Sequence, residues 1–377
     1  MATYDGFDAP RGGLDGRLGL IIGGVCALGF LICLWIVVSA LMERGHAIYN
    51  TTSDGVMWGV PIVTYDFFML LSVGVAAIAS LSLAFGIGLF RNVVGHALWM
   101  ALACVTAGGV ALFLELGYPL RAMLMILPSF AIASPLWWKV LFVFIYVPVL
   151  VALLWREQHG AHREQDWLGV TLFLTAVLLA LTSGSVYGAM SMRPFWFGGH
   201  VQVAFLVESA VAGFALAMLL SGGNASETGR VASRFFGFAL GLHLAMVASR
   251  TLTGLYANLE GLQVWEKTIT QPWIYIEVIL CIALPLAILA SKLRENNALL
   301  AAAGVLALIG LYIGHYEFIV GGQLAPLFKG AWVPGLIPYT PSFHEWMLAP
   351  LSAFLVGAVY FIGSGLMRLD PVSTREG

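Results

Sequence analysis

Leu18-Gly-Leu-Ile-Ile-Gly-Gly-Val-Cys-Ala-Leu-Gly-Phe-Leu-Ile-Cys-Leu-Trp-Ile-Val-Val-Ser-Ala-Leu-Met42 runs for 25 residues without a charged side chain. About 20 apolar residues in a helix are enough to cross the hydrocarbon core of a bilayer. Lipid offers no water to a peptide group, so such a stretch must satisfy its own backbone as a helix. The residues before it, Met1 to Arg17, carry Asp5, Asp8 and Asp15 beside Arg11 and Arg17, unlike the basic leader of a secretory signal. No small-residue cleavage site follows, and the segment reads as a retained membrane helix.

The same pattern recurs outward from this stretch to the end of the chain. Of 377 residues, 60% are hydrophobic and only 10% charged, and the mean hydropathy is +0.91. Apolar runs separated by polar breaks give ten candidate spans, at 18–42, 58–90, 94–117, 136–154, 167–190, 200–221, 232–257, 272–292, 297–320 and 346–367. The expected fold is an all-α integral membrane protein in contact with lipid. The second run exceeds the bilayer thickness, which calls for tilt or a protruding end. A net charge of -2 leaves no basic stripe for nucleic acid. Cys26, Cys33, Cys104 and Cys281 lie singly in apolar runs, without the close pairs of a metal or iron-sulfur site.

Lys and Arg collect on the cytoplasmic side of membrane proteins. With ten spans both termini share a side, and that side holds eleven cations, Arg11, Arg17, Arg91, Arg156, Arg163, Arg230, Arg234, Lys292, Arg294, Arg368 and Arg375. The other side holds seven, Arg44, Arg121, Lys139, Arg193, Arg250, Lys267 and Lys329. Both termini are expected in the cytoplasm of a bacterial inner membrane. The opposite face has longer connections rich in Trp, Tyr, Pro and Gly, such as 117–138, 193–200 and 321–346, which suit either a docking surface or an interfacial aromatic belt.

An ionisable side chain inside a span is costly and therefore a candidate for function. Asp66, Glu115, Glu208, Glu277, Glu317, His243, His315 and Arg250 qualify, each open to a structural reading as one half of an interhelical pair. Asp66 stands about two turns into the second span, deep enough to meet a lipid-borne substrate and shallow enough to trade protons with water. Glu115 and Arg121 lie at the same level, as does Arg193. A carboxylate facing an arginine there is either the rim of a pocket or an interfacial ion pair. Haem needs axial ligands at matched depths on facing helices. His96, His200, His243 and His315 are scattered singly over separate helices, and His46, His159, His162 and His344 fall in connections, so no haem is expected.

Four stretches together resemble the NrfD/PsrC-like membrane subunits. They are Trp58-Gly-Val-Pro-Ile-Val-Thr-Tyr-Asp66-Phe-Phe; Leu114-Glu-Leu-Gly-Tyr-Pro-Leu-Arg121; Tyr187-Gly-Ala-Met-Ser-Met-Arg193-Pro-Phe-Trp196 with Phe205-Leu-Val-Glu208; and Gly321-Gly-Gln323 with Tyr339-Thr-Pro341-Ser-Phe-His-Glu345. Where hydrogenase-type members have His-Gln-Ser-Ser, this chain has Ser183-Gly-Ser185-Val, and His315 stands where arginine is common. The Arg193-Pro-Phe-Trp196 form is closer to anchors of molybdenum oxidoreductases.

The resemblance implies two four-helix bundles plus two additional helices. It divides the chain into a tail at 1–17, a first helix and its connection at 18–57, a core at 58–368 and a tail at 369–377. It also implies a subunit, not catalytic alone, that exchanges electrons between menaquinone or ubiquinone and a ferredoxin-like iron-sulfur subunit on the periplasmic side. A further catalytic subunit would be a molybdopterin enzyme, a hydrogenase or a multihaem cytochrome. Asp66 is the expected proton-exchanging group, with Tyr65, Glu115, Arg121, Arg193 and His200 around the quinone. Glu208, His243, Arg250, Glu277, His315 and Glu317 are the expected proton pathway. A proton-coupled transporter and a purely structural anchor are the alternatives, since Gly-rich helices with intramembrane carboxylates also suit carriers.

Overall fold

In the computed structural model, residues 16–53, 55–160, 163, 165–257, 262–327, 335–367 and 369 are described. The two expected tails, apart from Gly16, Arg17 and Leu369, lie outside them. The described residues are helical or irregular, with no strand among them. In chain order the helices are α1 (Gly16–Arg44), α2 (Val60–Phe85), α3 (Val94–Glu115), α4 (Pro119–Ile126), α5 (Pro135–Gln158), α6 (Trp167–Gly188) and α7 (His200–Leu220). Then come α8 (Glu227–Tyr256), α9 (Val264–Thr268), α10 (Pro272–Tyr275), α11 (Leu284–Ala290), α12 (Asn297–Leu324) and α13 (Phe343–Leu366). A π-helical stretch, Ile276–Ala283, fuses α10 and α11 into one span. Among the described residues ten helical segments are long and apolar enough to cross a membrane, matching the ten runs of the sequence.

Most boundaries fall where local chemistry puts them. Gly59 and Pro61 open α2, and Gly86 closes it in the left-handed region, φ 67°. Its N–H reaches the Leu81 and Ser82 carbonyls, the usual way a glycine satisfies the last orphan acceptors of a helix. The long run at 58–90 is therefore a 26-residue helix and a separate turn, rather than one tilted span. Asn296 caps α12 through the amides of Ala298 and Leu299, at 2.9 and 3.3 Å. Ser342 and Glu345 form a reciprocal capping box at the start of α13. The connection at 117–138 contains a short helix, α4, which Pro119 starts.

Helices α2, α3, α5 and α6 close one ring of neighbours, and α7, α8, α10–α11 and α12 close a second. These are the two four-helix bundles, with α1 and α13 paired along α2 and α3 as the additional helices. The bundles join where α2 meets α6, α7 and α12, so α2 is enclosed nearly all round, as its uniformly apolar sequence requires. At the α2–α7 crossing a Cβ on Gly74 would lie 2.1 Å from the Ser209 carbonyl oxygen, and one on Gly213 2.4 Å from that of Gly74. Only glycine lets the two backbones touch, a packing mode typical of membrane helices. Helix α1, with Ile21, Val25, Leu28 and Trp35 exposed, presents an apolar face to lipid.

Candidate functional site

Three polar centres lie toward the end of the molecule where α2, α5, α7 and α13 begin and α3, α6, α8 and α12 finish. The first is built around Asp66, 3% exposed, on the second turn of α2. One carboxylate oxygen accepts from the Lys139 ammonium of α5 and the other from the Tyr187 hydroxyl of α6. Lys139 is equally buried and lies 4.6 Å from the centre of the Tyr65 ring. Sequence reasoning placed Lys139 among interfacial cations and gave Tyr187 no role. The only hint was Lys139 itself, four residues into a span in which a lysine must either snorkel or find a partner. Asp66 is thus not open to water. It is ion-paired within the first bundle.

Tyr187 connects this pair to a cavity. Its ring meets Trp58 and Trp196 edge-on, at 5.5 and 5.2 Å, and those two indoles stack at 5.5 Å. Trp58 and Trp196 line a cavity of about 330 Å³ together with Met57, Met190, Arg193 and Gln323. Small-molecule sites begin at about 300 Å³ and combine apolar walls with a few polar groups. Gln323 shapes the wall: its carbonyl accepts from the amides of Met57 and Trp58, both at 2.9 Å, and its NH2 donates to Trp58 and Ile319. The Trp196 indole donates to the Phe318 carbonyl at 2.7 Å, in a space that only glycine at 322 leaves open.

Among the described residues Arg193 is the one charged residue of the cavity lining. Its guanidinium donates to the carbonyls of Gly322 and Ala325, at 3.1 and 3.3 Å, holding the end of α12 beside the 190–197 loop. Burial lowers its pKa from the usual arginine value.

Of the residues expected around a quinone, Arg193 alone lines this cavity; Tyr65 and Asp66 lie behind Tyr187. Glu115 and Arg121 are not ion-paired with each other. Arg121 is exposed on α4, while Glu115 sits with Tyr49 and Glu345 at the second polar centre, between α3 and α13. There burial, reinforced by the charges of Glu115 and Glu345, raises the pKa of the Tyr49 hydroxyl. Buried Glu345 accepts from Tyr339, from Ser342 N at 2.6 Å and from Asn50 N at 3.1 Å, pinning the loop before α13 to the chain before α2.

The third centre lies in the second bundle and gathers the six residues read as a proton pathway. His243 approaches Glu208 at 3.8 Å and Glu277 at 4.0 Å, and His315 approaches Glu208 at 3.7 Å. Arg250 lies 4.7 to 5.1 Å from the rings of Phe195, Trp265 and Phe318, a cation–π cage, with its charge also bearing on Glu317. His200, exposed at the start of α7, borders this centre and not the larger cavity. Among the described residues no group of His, Cys, Asp and Glu is arranged to hold a metal ion.

Ten apolar helices among the described residues, eight of them in two bundles, with three buried polar centres toward one end, define a multi-pass membrane protein. The family model described as polysulphide reductase, NrfD, matches residues 49–326, and the chain belongs to that family. It is 25% identical to a subunit of the selenate reductase of Mesobacillus selenatarsenatis, over 85% of this chain and 87% of that one. A putative membrane subunit of the dimethyl sulfoxide reductase of Halobacterium salinarum is 24% identical over 86% of each chain. The Hdr-like menaquinol oxidoreductase integral membrane subunit of Archaeoglobus fulgidus is 23% identical, over 95% of this chain and 94% of the relative.

Proposed function

We propose that this chain is the membrane subunit of a respiratory oxidoreductase and that the cavity beside Trp58, Arg193 and Trp196 receives the headgroup of menaquinone or ubiquinone. The observation that carries the reading is the connection from an aromatic-walled cavity of about 330 Å³, through the Tyr187 ring that backs it, to the Asp66–Lys139 pair. A quinone ring is flat, apolar on its faces and polar at two opposite oxygens. The stacked indoles offer the faces, and Arg193 offers a donor at the rim.

Quinol oxidation yields quinone, two protons and two electrons. The electrons pass to an iron-sulfur centre in a ferredoxin-like subunit docked over the cavity mouth, and from there to a further catalytic subunit. That subunit is a molybdopterin enzyme, a hydrogenase or a multihaem cytochrome, and the names of the selenate and dimethyl sulfoxide reductase relatives support a terminal reductase. Tyr187 can hand a proton inward only as Asp66 accepts it, so the two act as a relay, with Lys139 holding the carboxylate in place. The cation asymmetry supports a periplasmic cavity mouth in the inner membrane, with both termini in the cytoplasm. The NrfD core at 58–368 then carries the site, and α1 with its connection at 18–57 buttresses α13.

The test is binding of a fluorescent hydroxyquinoline-N-oxide, a quinol analogue, to the purified complex, with wild-type chain and with Trp196→Leu. Saturable quenching that weakens at least tenfold in the variant is expected. Equal binding in both would move the site elsewhere. Absence of binding together with solute uptake by proteoliposomes would favour a transporter, and unchanged quinol oxidation by a complex lacking this chain would leave it a structural anchor.

A further inference from the structure

The second bundle contains acid and base groups that the cavity chemistry does not use. Glu208 on α7, His243 and Arg250 on α8, Glu277 in the π-helical stretch, and His315 and Glu317 on α12 converge from four elements. His243 and His315 are 4% and 2% exposed, yet both ring nitrogens of His243 and Nε2 of His315 lack a hydrogen-bond partner, as do Glu208 Oε2 and Glu317 Oε1. The separations of 3.7 to 4.0 Å from His243 and His315 to the carboxylates exceed hydrogen-bond length. His243 is thus aimed at Glu208 with one nitrogen and at Glu277 with the other, touching neither. Beside them a cavity of about 20 Å³, bordered by His200, Glu208, Arg250 and His315, has room for a water, for which roughly 10–15 Å³ suffices.

Charge counting gives these groups a task. Three carboxylates face one fixed cation, Arg250. A cluster enclosed in an apolar bundle must stay near neutrality. Two more protons have to be shared among three carboxyls and two imidazoles, and water between them makes those protons mobile. Cys281 beside Glu277 and Tyr316 beside Glu317 are the other titratable groups at its edge. Asp66 and Tyr187 lie behind the Phe67, Phe205 and Phe318 rings, with Phe205 5.1 Å from His315 and 5.8 Å from Tyr187. Gly314 is part of the design, because a Cβ there would lie 2.5 Å from Glu277 Oε1.

We propose that the second bundle is a water-bridged proton-binding site, distinct from the Asp66 pair, in which Glu208, His243, Glu277 and His315 share exchangeable protons that enter past His200. Toward the far ends of α7, α8 and α12 the buried polar groups among the described residues, such as Thr228 and Ser233, carry no titratable charge. The site therefore fills from the face that carries Arg193.

The test is infrared spectroscopy of the whole complex in lipid nanodiscs, with glutamate carboxyl-labelled by carbon-13, across a pH jump and after mixing with D2O. A protonated-carboxyl C=O band that shifts with the glutamate label is expected, and the label leaves Asp66 silent. The band should fall in Glu208→Gln and Glu277→Gln and persist in Glu115→Gln. Its deuterium exchange should slow at least tenfold in His200→Phe. The absence of a label-sensitive band in the unmutated complex would overturn the proposal, whatever the variants do. So would a band removed only by Glu115→Gln, or exchange at the unmutated rate in His200→Phe.

Discussion

Replacing Lys139 by Met should cost about 3–5 kcal/mol of stability, the penalty for leaving a buried charge without its partner. Asp66 and Lys139 are each 3% exposed, so water cannot screen the loss. Asp66→Asn should cost less, about 2 kcal/mol, because the amide oxygen can still accept from Tyr187 and the ammonium keeps the Tyr65 ring at 4.6 Å. The double variant replaces an ion pair with two neutral groups of similar volume, a change that is often close to neutral. We expect it to lose about 1–2 kcal/mol, giving a coupling energy of roughly 3 kcal/mol or more. The assay is denaturation in a fixed detergent, read by tryptophan fluorescence for all four chains, beside quinol oxidation by the assembled complexes. Turnover should fall about 10²-fold or more in both chains that carry the Asp66→Asn change, the scale of a general acid-base group, even where stability returns. Singles whose losses simply add in the double would refute the ion pair. Wild-type turnover in a stable complex carrying that change would refute the proton role of Asp66.

Four other outcomes are open to measurement. Gly322→Ala puts a Cβ 1.9 Å from the Trp196 indole nitrogen, so it should displace that ring, cost about 1–3 kcal/mol and weaken quinol-analogue binding at least tenfold in a fluorescence titration. Glu345→Gln removes a charged acceptor of two backbone amides and the Tyr339 hydroxyl, and should lower stability by about 1.5–3 kcal/mol with faster proteolysis before α13. A C-terminal phosphatase fusion should be inactive and a fluorescent-protein fusion bright; the reverse would invert the assigned orientation. The chain stripped of its partners should show no Soret band in its absorption spectrum.

The spans were legible because lipid imposes one rule on every segment, whereas their grouping into two bundles followed only from the family resemblance. A run such as Leu18–Met42 has no alternative to a helix, and short connections bring successive helices side by side. Gly86 was as visible as any residue, but hydropathy continues through Ile87–Phe90, and only the left-handed cap reveals that the helix has stopped. The cost of an intramembrane charge likewise marked Asp66, Glu208, His243 and Glu277 as sites to explain. Partners were harder to see. Glu115 and Arg121 are close in sequence, yet Pro119 starts a new helix between them and turns Arg121 outward. Lys139 follows Trp137 and Trp138, a pattern that reads as an interfacial lysine. Its actual partner is 73 residues earlier, a relation fixed by α2 and α5 facing each other across the first bundle, between α3 and α6, and by nothing local.

The two charged interiors differ in a way that sorts their roles. At the Asp66 centre of the first bundle the charges are matched: one carboxylate, one ammonium and one phenol donor meet at hydrogen-bond contact, which fixes geometry beside the cavity. In the second, carboxylates outnumber the fixed cation and the nearest acid-base separations stay at 3.7 Å or more, which fixes little and leaves protons room to redistribute. A matched pair resists the arrival of a proton, since accepting one breaks an ion pair. A cluster short of positive charge takes one readily. Asp66 is therefore suited to pass a proton only while something drives it, as a reacting headgroup beyond Tyr187 would. The second bundle can hold protons at rest. Arg250 connects the two, because its cage ring Phe318 also meets Tyr187, at 5.4 Å, and filling one interior alters the field felt in the other across a single layer of aromatic rings.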